Sequence, residues 1–401
     1  MNDHNPYGGR EQTLVKHFIL RKYLERFAHI IGSRWNGITY VDCFSGPWSV
    51  RSDSFSDSSF AIALDQLRKA RATHEQRGKQ LKLRCLFLEK NPHAYAKLAA
   101  FAERVKDVEI RTLNRALEEA VADILQFIHS GGRQSFPFIF VDPTGWTGFS
   151  MNLIAPLLCV TPGEVLINFM TDFIRRFFGT QQSFEALFGS PENNPSLQTL
   201  LQLHQQKMID RAGGIEDRIE MDVEELLLDA YATSVRLTGN FKHVCTASIL
   251  YPEIDRTFFH LVYATRDRKG IEVFKAVEKQ AMPVMETSRA EAKERARVRK
   301  TRQPGLFAPE FMPHSEPTKV LRERYLREAE ERVLAILQAK RRVPYEEVWD
   351  AALSFRLVWE SDLKDWIREW GKRRLVTITG LEPRHHVPKL DSGNTLLWQS
   401  S

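Results

Sequence analysis

The sequence predicts a doubly wound α/β domain followed by a smaller domain of helices and a β-hairpin. Three observations lead there. Short apolar runs alternate with amphipathic helical stretches over residues 38–169, two further strand-like runs follow around a short turn, and beyond a charged stretch come three helical patterns and a closing strand pair. At 401 residues the chain exceeds what one hydrophobic core usually organises, so one large and one small domain is the natural division.

Element by element, apolar residues recur at helical spacing from Leu14 through Phe18, Ile19, Tyr23, Leu24 and Phe27 to Ile31, and Gly32 follows as a stop. Residues 38–44, 83–89, 108–113, 136–142 and 164–169 then read as strands, with helical patterns between them at 61–72, 94–104, 117–128 and 151–158. Strands that are apolar throughout, separated by helices, indicate a parallel sheet covered on both faces. After a polar, helix-rich insertion over 181–239, runs at 244–251 and 257–265 flank Pro252-Glu253-Ile254-Asp255-Arg256, a length that suits a hairpin. Five alternating strands with a terminal hairpin match the seven-stranded, Rossmann-like sheet of class I methyltransferases better than a standard dinucleotide-binding fold, and 271–282 reads as a last covering helix.

These patterns divide the chain into a methyltransferase-like domain at 1–285, a charged linker at 286–318 and a small domain at 319–401. The linker assignment rests on charge and proline, including Arg295, Arg297, Arg299, Lys300 and Arg302. In the small domain, helices are expected at 319–339, 345–355 and 362–373 and strands at 375–379 and 395–398, the order of a winged helix.

Composition narrows the class of function. Hydrophobic residues make up 43% and charged residues 27%, and no apolar run approaches the roughly 18 residues of a membrane span. Residues 1–12 are polar and lack the apolar core of a secretory signal, so a cytoplasmic protein without a membrane partner is expected. Cys43, Cys85, Cys159 and Cys245 are scattered without zinc-ligand spacing, which predicts reduced, buried thiols, and no metal is expected at the adjacent His385 and His386. The net charge of +6 favours a polyanionic partner only where it clusters.

The chemistry-bearing residues fall at strand ends. The loop after the first strand reads Asp42-Cys43-Phe44-Ser45-Gly46-Pro47-Trp48-Ser49, and a glycine-bearing turn there lets a ligand approach the backbone. The second strand ends in Glu89, where the ribose hydroxyls of a nucleoside cofactor are commonly held, although an acid at a strand end is also an ordinary surface feature. The fourth strand ends in Asp142-Pro143-Thr144-Gly145-Trp146. The lone pair of an exocyclic base amine is delocalised into the ring, and a carboxylate with a neighbouring carbonyl can counter this by accepting the amine hydrogens and holding it in line with a methyl sulfonium. Asp142 and the Pro143 carbonyl are the candidates for that role, against the plainer reading that Asp-Pro ends a buried strand in a turn. After the fifth strand, Arg175 and Arg176 precede Phe177 and Phe178, a pattern suited to phosphate contact and base stacking or to an ordinary amphipathic helix. In the small domain Lys364, Arg368, Lys372 and Arg373 cluster at the third helix, with Arg384 in the wing, a set that suits a DNA groove. Glu360, Asp362, Asp365 and Glu369 on the same helix dilute that field and leave protein docking open.

Taken together, Asp42-x-Phe44-Ser45-Gly46-Pro47, Phe87-Leu88-Glu89-Lys90-Asn91, Phe140-Val141-Asp142-Pro143-x-Gly145, Leu166-Ile167-Asn168-Phe169 and Tyr263-Ala264-Thr265-Arg266 resemble the three-Cys-motif partner protein (TcmP) family over roughly residues 16–282. The C-terminal region resembles the winged-helix domain often attached to it. The resemblance implies S-adenosylmethionine (SAM) as cofactor, with Asp42, Phe44, Gly46, Glu89 and Asn114 around it and Asp142 and Pro143 lining the same cleft. It also implies a partner, a radical-SAM-like protein with a three-cysteine motif. The Asp-Pro-x-Gly form of the fourth-strand motif is similar to that of tRNA guanine-N2 methyltransferases. The chain departs from the family at Trp48, where a glycine is usual, and an indole there reshapes or blocks the approach of the methionine part of SAM. Three functions follow: methyl transfer to DNA or RNA, a non-catalytic nucleotide- or nucleic-acid-binding partner, and a winged-helix DNA-binding regulator.

Overall fold

The computed structural model describes residues 6–46, 50, 52, 55–143, 150–170, 186–209, 217–301, 316–383 and 386–399. Parallel strands form where the apolar runs fall: β1 (Gly37–Asp42), β2 (Lys82–Leu88), β3 (Glu109–Leu113), β4 (Ser135–Val141) and β5 (Glu164–Phe169). β1 and β5 bury every residue, as strands covered on both faces do. β6 (His243–Leu250) and β7 (Thr257–Thr265) form the expected hairpin, and β7 lies antiparallel beside β5. The order β3-β2-β1-β4-β5-β7-β6 makes this a Rossmann-like α/β sheet. Its order reverses between β1 and β4, the position where open sheets of this kind bind ligands at their carboxyl edge.

Alternation along each strand sends side chains to two cores. Tyr40, Phe138 and Leu166 join the face packed by α1 (Glu11–Arg34), α2 (Ser59–Gln76), α3 (Pro92–Arg104) and α8 (Arg268–Thr301). Val41, Ile139 and Ile167 join the face packed by α4 (Leu117–Ser130), α5 (Met151–Leu158), α6 (Pro195–Ile209) and α7 (Asp217–Thr238). Local signals start the helices at the carboxyl edge. The Ser58 hydroxyl accepts from the Ala61 amide at the start of α2, and Asn91 caps α3 with Pro92 at its first turn.

Helix α8 departs from the sequence expectation. It runs through 286–301 instead of giving way to a linker, because Met285, Ser288, Arg289 and Ala292 continue its buried stripe. The Arg289 guanidinium donates to the carbonyls of Tyr251 and Ile254 at 2.8 and 3.0 Å and pairs with Asp255 at 2.5 Å, fastening the helix to the β6–β7 turn. Pro283 removes one helical hydrogen bond, and the buried residues on either side of it hold the helix together. Of the rest of the expected linker, 316–318 open the next helix and 302–315 lie outside the described residues, as do Pro47, Trp48, Gly145, Arg175, Arg176, Arg384 and His385.

The C-terminal part consists of α9 (Glu316–Lys340), β8 (Arg342–Pro344), α10 (Tyr345–Leu353), α11 (Glu360–Lys372), β9 (Val376–Thr379) and β10 (Thr395–Trp398), with a three-stranded sheet in the order β8-β10-β9. The three helices and the terminal strands fall where the sequence placed them. β8 was not expected, being three residues of edge strand. This part docks against α7 and α8. Lys275 and Glu278 pair at 3.2 Å with 2% and 3% side-chain exposure. Lys275 also donates to the Phe355 carbonyl at 2.7 Å, and the Trp359 indole donates to Glu278 at 3.2 Å. Tyr325 and Arg324 both reach Glu225 on α7. Trp349, Val333 and Leu337 belong to the same apolar cluster as Tyr40 and Phe138, so the two parts share one core.

Candidate functional site

Register places the candidate residues in a row. Asp42 lies opposite Phe87 on β2 and Phe140 on β4, so Glu89 and Asp142 stand two residues further along each neighbour and, by the period of two, on the same face. Val141 pairs with Ile167, which puts Asp142 abreast of Asn168. Glu89, Asp42, Asp142 and Asn168 therefore stand at successive carboxyl ends of β2, β1, β4 and β5, astride the switch point.

Asp42 is fully buried, and both carboxylate oxygens are engaged, one by the Phe44 amide at 3.1 Å and the other by the Ser59 hydroxyl at 2.6 Å. Burial pushes its carboxyl up to about 6, while the Ser59 and Phe44 hydrogen bonds favour the charged form. These bonds fasten the end of β1 to the start of α2. The Ser45 amide donates to the Leu88 carbonyl at 2.8 Å, which sets Gly46 beside Glu89. Phe44 and Gly46 are half-buried in this loop. Glu89 is 4% exposed, and one of its oxygens accepts from the Asn91 amide at 2.5 Å. Asn114 is exposed and donates to the carbonyls of Glu89 and Lys90 at 2.8 and 3.2 Å, clamping the end of β2.

Asp142 is held on two sides. The Lys16 ammonium pairs with one oxygen at 2.5 Å, and the Asn168 amide nitrogen donates to the other at 2.6 Å. Lys16 also lies over the Phe259 ring at 5.6 Å. Pro143 follows at the strand end and is buried. Upstream of Lys16, Arg10 pairs with the buried Asp57 at 2.8 Å, and the Tyr7 hydroxyl meets His17 at 3.1 Å. The N-terminal segment thus ties the loop after β1 to the end of β4. Lys16 is a site residue that sequence reasoning missed. It occupies a polar position on an amphipathic helix, and its partner is 126 residues away, so nothing local marked it.

The basic candidates divide by their partners. On α11, Lys364 pairs with Glu360 at 2.8 Å, Arg368 with Asp365 at 2.6 Å and Lys372 with Glu369 at 3.6 Å. Arg373 and Arg374, just beyond, are exposed and make no ion pair among the described residues. On α8, Arg295 pairs with Glu11, Arg297 with Glu294 and Arg299 with Glu253, so charge that read as available to a polyanion is largely neutralised within the fold. Of the cysteines, Cys43, Cys85 and Cys245 are buried as expected, whereas Cys159 is exposed, its thiol donating to the Thr238 carbonyl at 3.3 Å.

A nucleoside cofactor fits this row at two of the positions assigned to it. Glu89 offers a carboxylate at the end of β2, and Gly46 brings backbone without a side chain alongside it, whereas Asp42 and Asn114 shape the loops around them. Among the described residues no helix is long and apolar enough to cross a membrane. No family model matches the sequence. No curated protein matches it either. Among solved structures, the chain is similar to a loganic acid methyltransferase with SAH at 9% identity, covering 74% of this chain and 93% of that one with a TM-score of 0.29. It is also similar to the cyclopropane synthase MmaA2 from Mycobacterium tuberculosis at 14% identity, covering 69% and 78% with a TM-score of 0.26. Scores of that size do not establish a shared fold, so strand order and strand-end chemistry carry the reading.

Proposed function

We propose that the chain is a SAM-dependent methyltransferase of the class I type acting on nucleic acid, DNA or RNA, in the cytoplasm. The observation that carries this reading is the row Glu89, Asp42, Asp142 and Asn168 across the switch point of a sheet whose last strand pair is an antiparallel hairpin. When bound, SAM supplies an electrophilic methyl group on sulfonium. Glu89 would hold the cofactor's ribose hydroxyls, and Gly46 would leave room for it against the backbone. The pair of Asp142 with Lys16 keeps a fixed polar wall on the other side of the switch point, where a target amine is oriented. The winged-helix reading of the C-terminal part is supported by its helix and strand order and gives it the role of choosing the substrate. The three-Cys-motif partner resemblance remains part of this proposal. Calorimetric titration of the purified chain with SAM tests it, with binding expected to weaken when Glu89 is replaced by glutamine. No heat of binding, with or without nucleic acid, would overturn it.

A second reading is favoured by the ion pair at Asp142. With both carboxylate oxygens engaged within the chain, the same fold serves as a nucleotide- or nucleic-acid-binding partner whose companion, a radical-SAM-like three-Cys-motif protein, does the chemistry. SAM binding without methyl transfer to any nucleic acid would select this alternative.

A further inference from the structure

At the carboxyl edge one polar atom stands out. Asn168 is 2% exposed, and its amide nitrogen donates to Asp142 at 2.6 Å and lies 3.5 Å from the Met170 sulfur, yet its side-chain oxygen has no hydrogen-bond partner among the described residues. Leaving a buried amide oxygen unsatisfied costs roughly 1–3 kcal/mol, so native folds rarely keep one without use for it. The amide cannot turn over to escape. A carboxylate already salt-bridged to Lys16 only accepts hydrogen bonds, and reversing Asn168 would set oxygen against oxygen. Lys16 and Asp142 together therefore lock the amide with its acceptor directed away from the carboxylate, at the end of β5, beside the switch point.

We propose that the Asn168 side-chain oxygen, rather than Asp142, accepts a hydrogen from the substrate, and that the substrate presents an N–H donor of the kind an exocyclic nucleobase amine carries. The proposal rests on the methyl-transfer reading for its choice of substrate and deepens it by naming the contact. Asp142 becomes a positioning residue acting through Asn168, and Lys16 is its counterion. The division of labour has a chemical basis. A neutral amide oxygen orients an amine without removing its proton, whereas a carboxylate already satisfied by Lys16 and Asn168 has little left to offer the substrate.

The test compares nucleosides that differ only at the amine, with S-adenosylhomocysteine saturating so that adenosine does not compete for the proposed cofactor site. Affinities of the full chain are measured for adenosine against purine riboside, guanosine against inosine, and cytidine against pyrimidin-2-one riboside. At least one amine-bearing member is expected to bind ten-fold or more tightly than its counterpart. That preference should vanish in Asn168→Leu and shrink without vanishing in Asp142→Asn. Equal affinities in all three wild-type pairs overturn the proposal without any variant having to fold, and so does an unchanged preference in Asn168→Leu. A separate SAM titration distinguishes the two failures: amine preference without SAM binding removes the methyl-transfer reading and leaves the contact standing.

Discussion

Two lysine–carboxylate pairs sit in opposite parts of this molecule and behave differently. Lys16–Asp142, at the carboxyl edge of the sheet, keeps 13% and 14% side-chain exposure and adjoins an amide oxygen without a partner among the described residues. Lys275–Glu278, beneath the docked C-terminal part, is nearly inaccessible and is bound further by Trp359 and the Phe355 carbonyl. The first pair neighbours polar capacity that the fold does not use. The second joins two parts of the chain through one Glu278 oxygen, which accepts from both Lys275 and Trp359, while the other Glu278 oxygen is buried without a hydrogen-bond partner among the described residues; that junction is why the C-terminal part reads as docked rather than tethered.

The largest expected effect breaks the second pair. Lys275→Met leaves Glu278 charged and buried without its cation, a change that costs about 3–5 kcal/mol, whereas a double replacement with Glu278→Leu should recover much of the loss. Urea unfolding of the full chain measures both. A single variant as stable as the wild type would show that the interface does not depend on the pair. A somewhat smaller effect comes from a carboxylate without a cation. Glu164 is buried against the hydroxyls of Tyr23 and Thr265 at 2.6 and 3.0 Å, and burial pushes its carboxyl up to about 7. A raised folded value means that stability is fully present below the ordinary glutamate range and is lost as pH rises from there toward 7, on the order of 3 kcal/mol in all. Glu164→Gln should flatten that slope, which thermal unfolding between pH 4 and pH 8 would reveal. An identical slope in the variant would place the titration elsewhere.

The edge pair should yield less stability and more function. Asp142→Ala removes a partly exposed pair and one charged hydrogen bond, worth about 1–2 kcal/mol, and should abolish methyl transfer while the fold persists. Circular dichroism alongside a transfer assay separates the two, and unchanged turnover would remove Asp142 from the site.

The same contrast explains what the sequence could convey. The sheet and its hairpin were legible because apolar runs buried on both faces are written locally, and β5 and β7 fall on the residues expected of them. Glu89 and Asp142 were legible as strand-end acids. What those acids touch was not. The Ser59 hydroxyl on Asp42 and the Lys16 ammonium on Asp142 come from helices whose positions only the closed sheet fixes, and neither residue breaks its helix's pattern. The linker was misread for a related reason: a charged, proline-bearing composition looks mobile until Arg289 finds three partners on the β6–β7 turn.

The smallest expected effect concerns the cations of the C-terminal part and sharpens the comparison at the surface. Lys364, Arg368 and Lys372 are each held by an acid three or four residues away on α11, so their field at a phosphate is largely cancelled. Arg373 and Arg374 form no ion pair among the described residues, Glu369 being taken by Lys372. If this surface meets nucleic acid through phosphates, each true contact adds about 0.9 to the slope of log affinity against log salt. Replacing Arg373 and Arg374 by glutamine should lower that slope by about 2. Replacing the three paired cations should change it by less than about 1 and shift stability by no more than about 0.5 kcal/mol, as exposed pairs do. The opposite ranking would mean that the acids of α11 release their partners on binding, and that formal charge along the helix predicts its partner better than the pairs seen here.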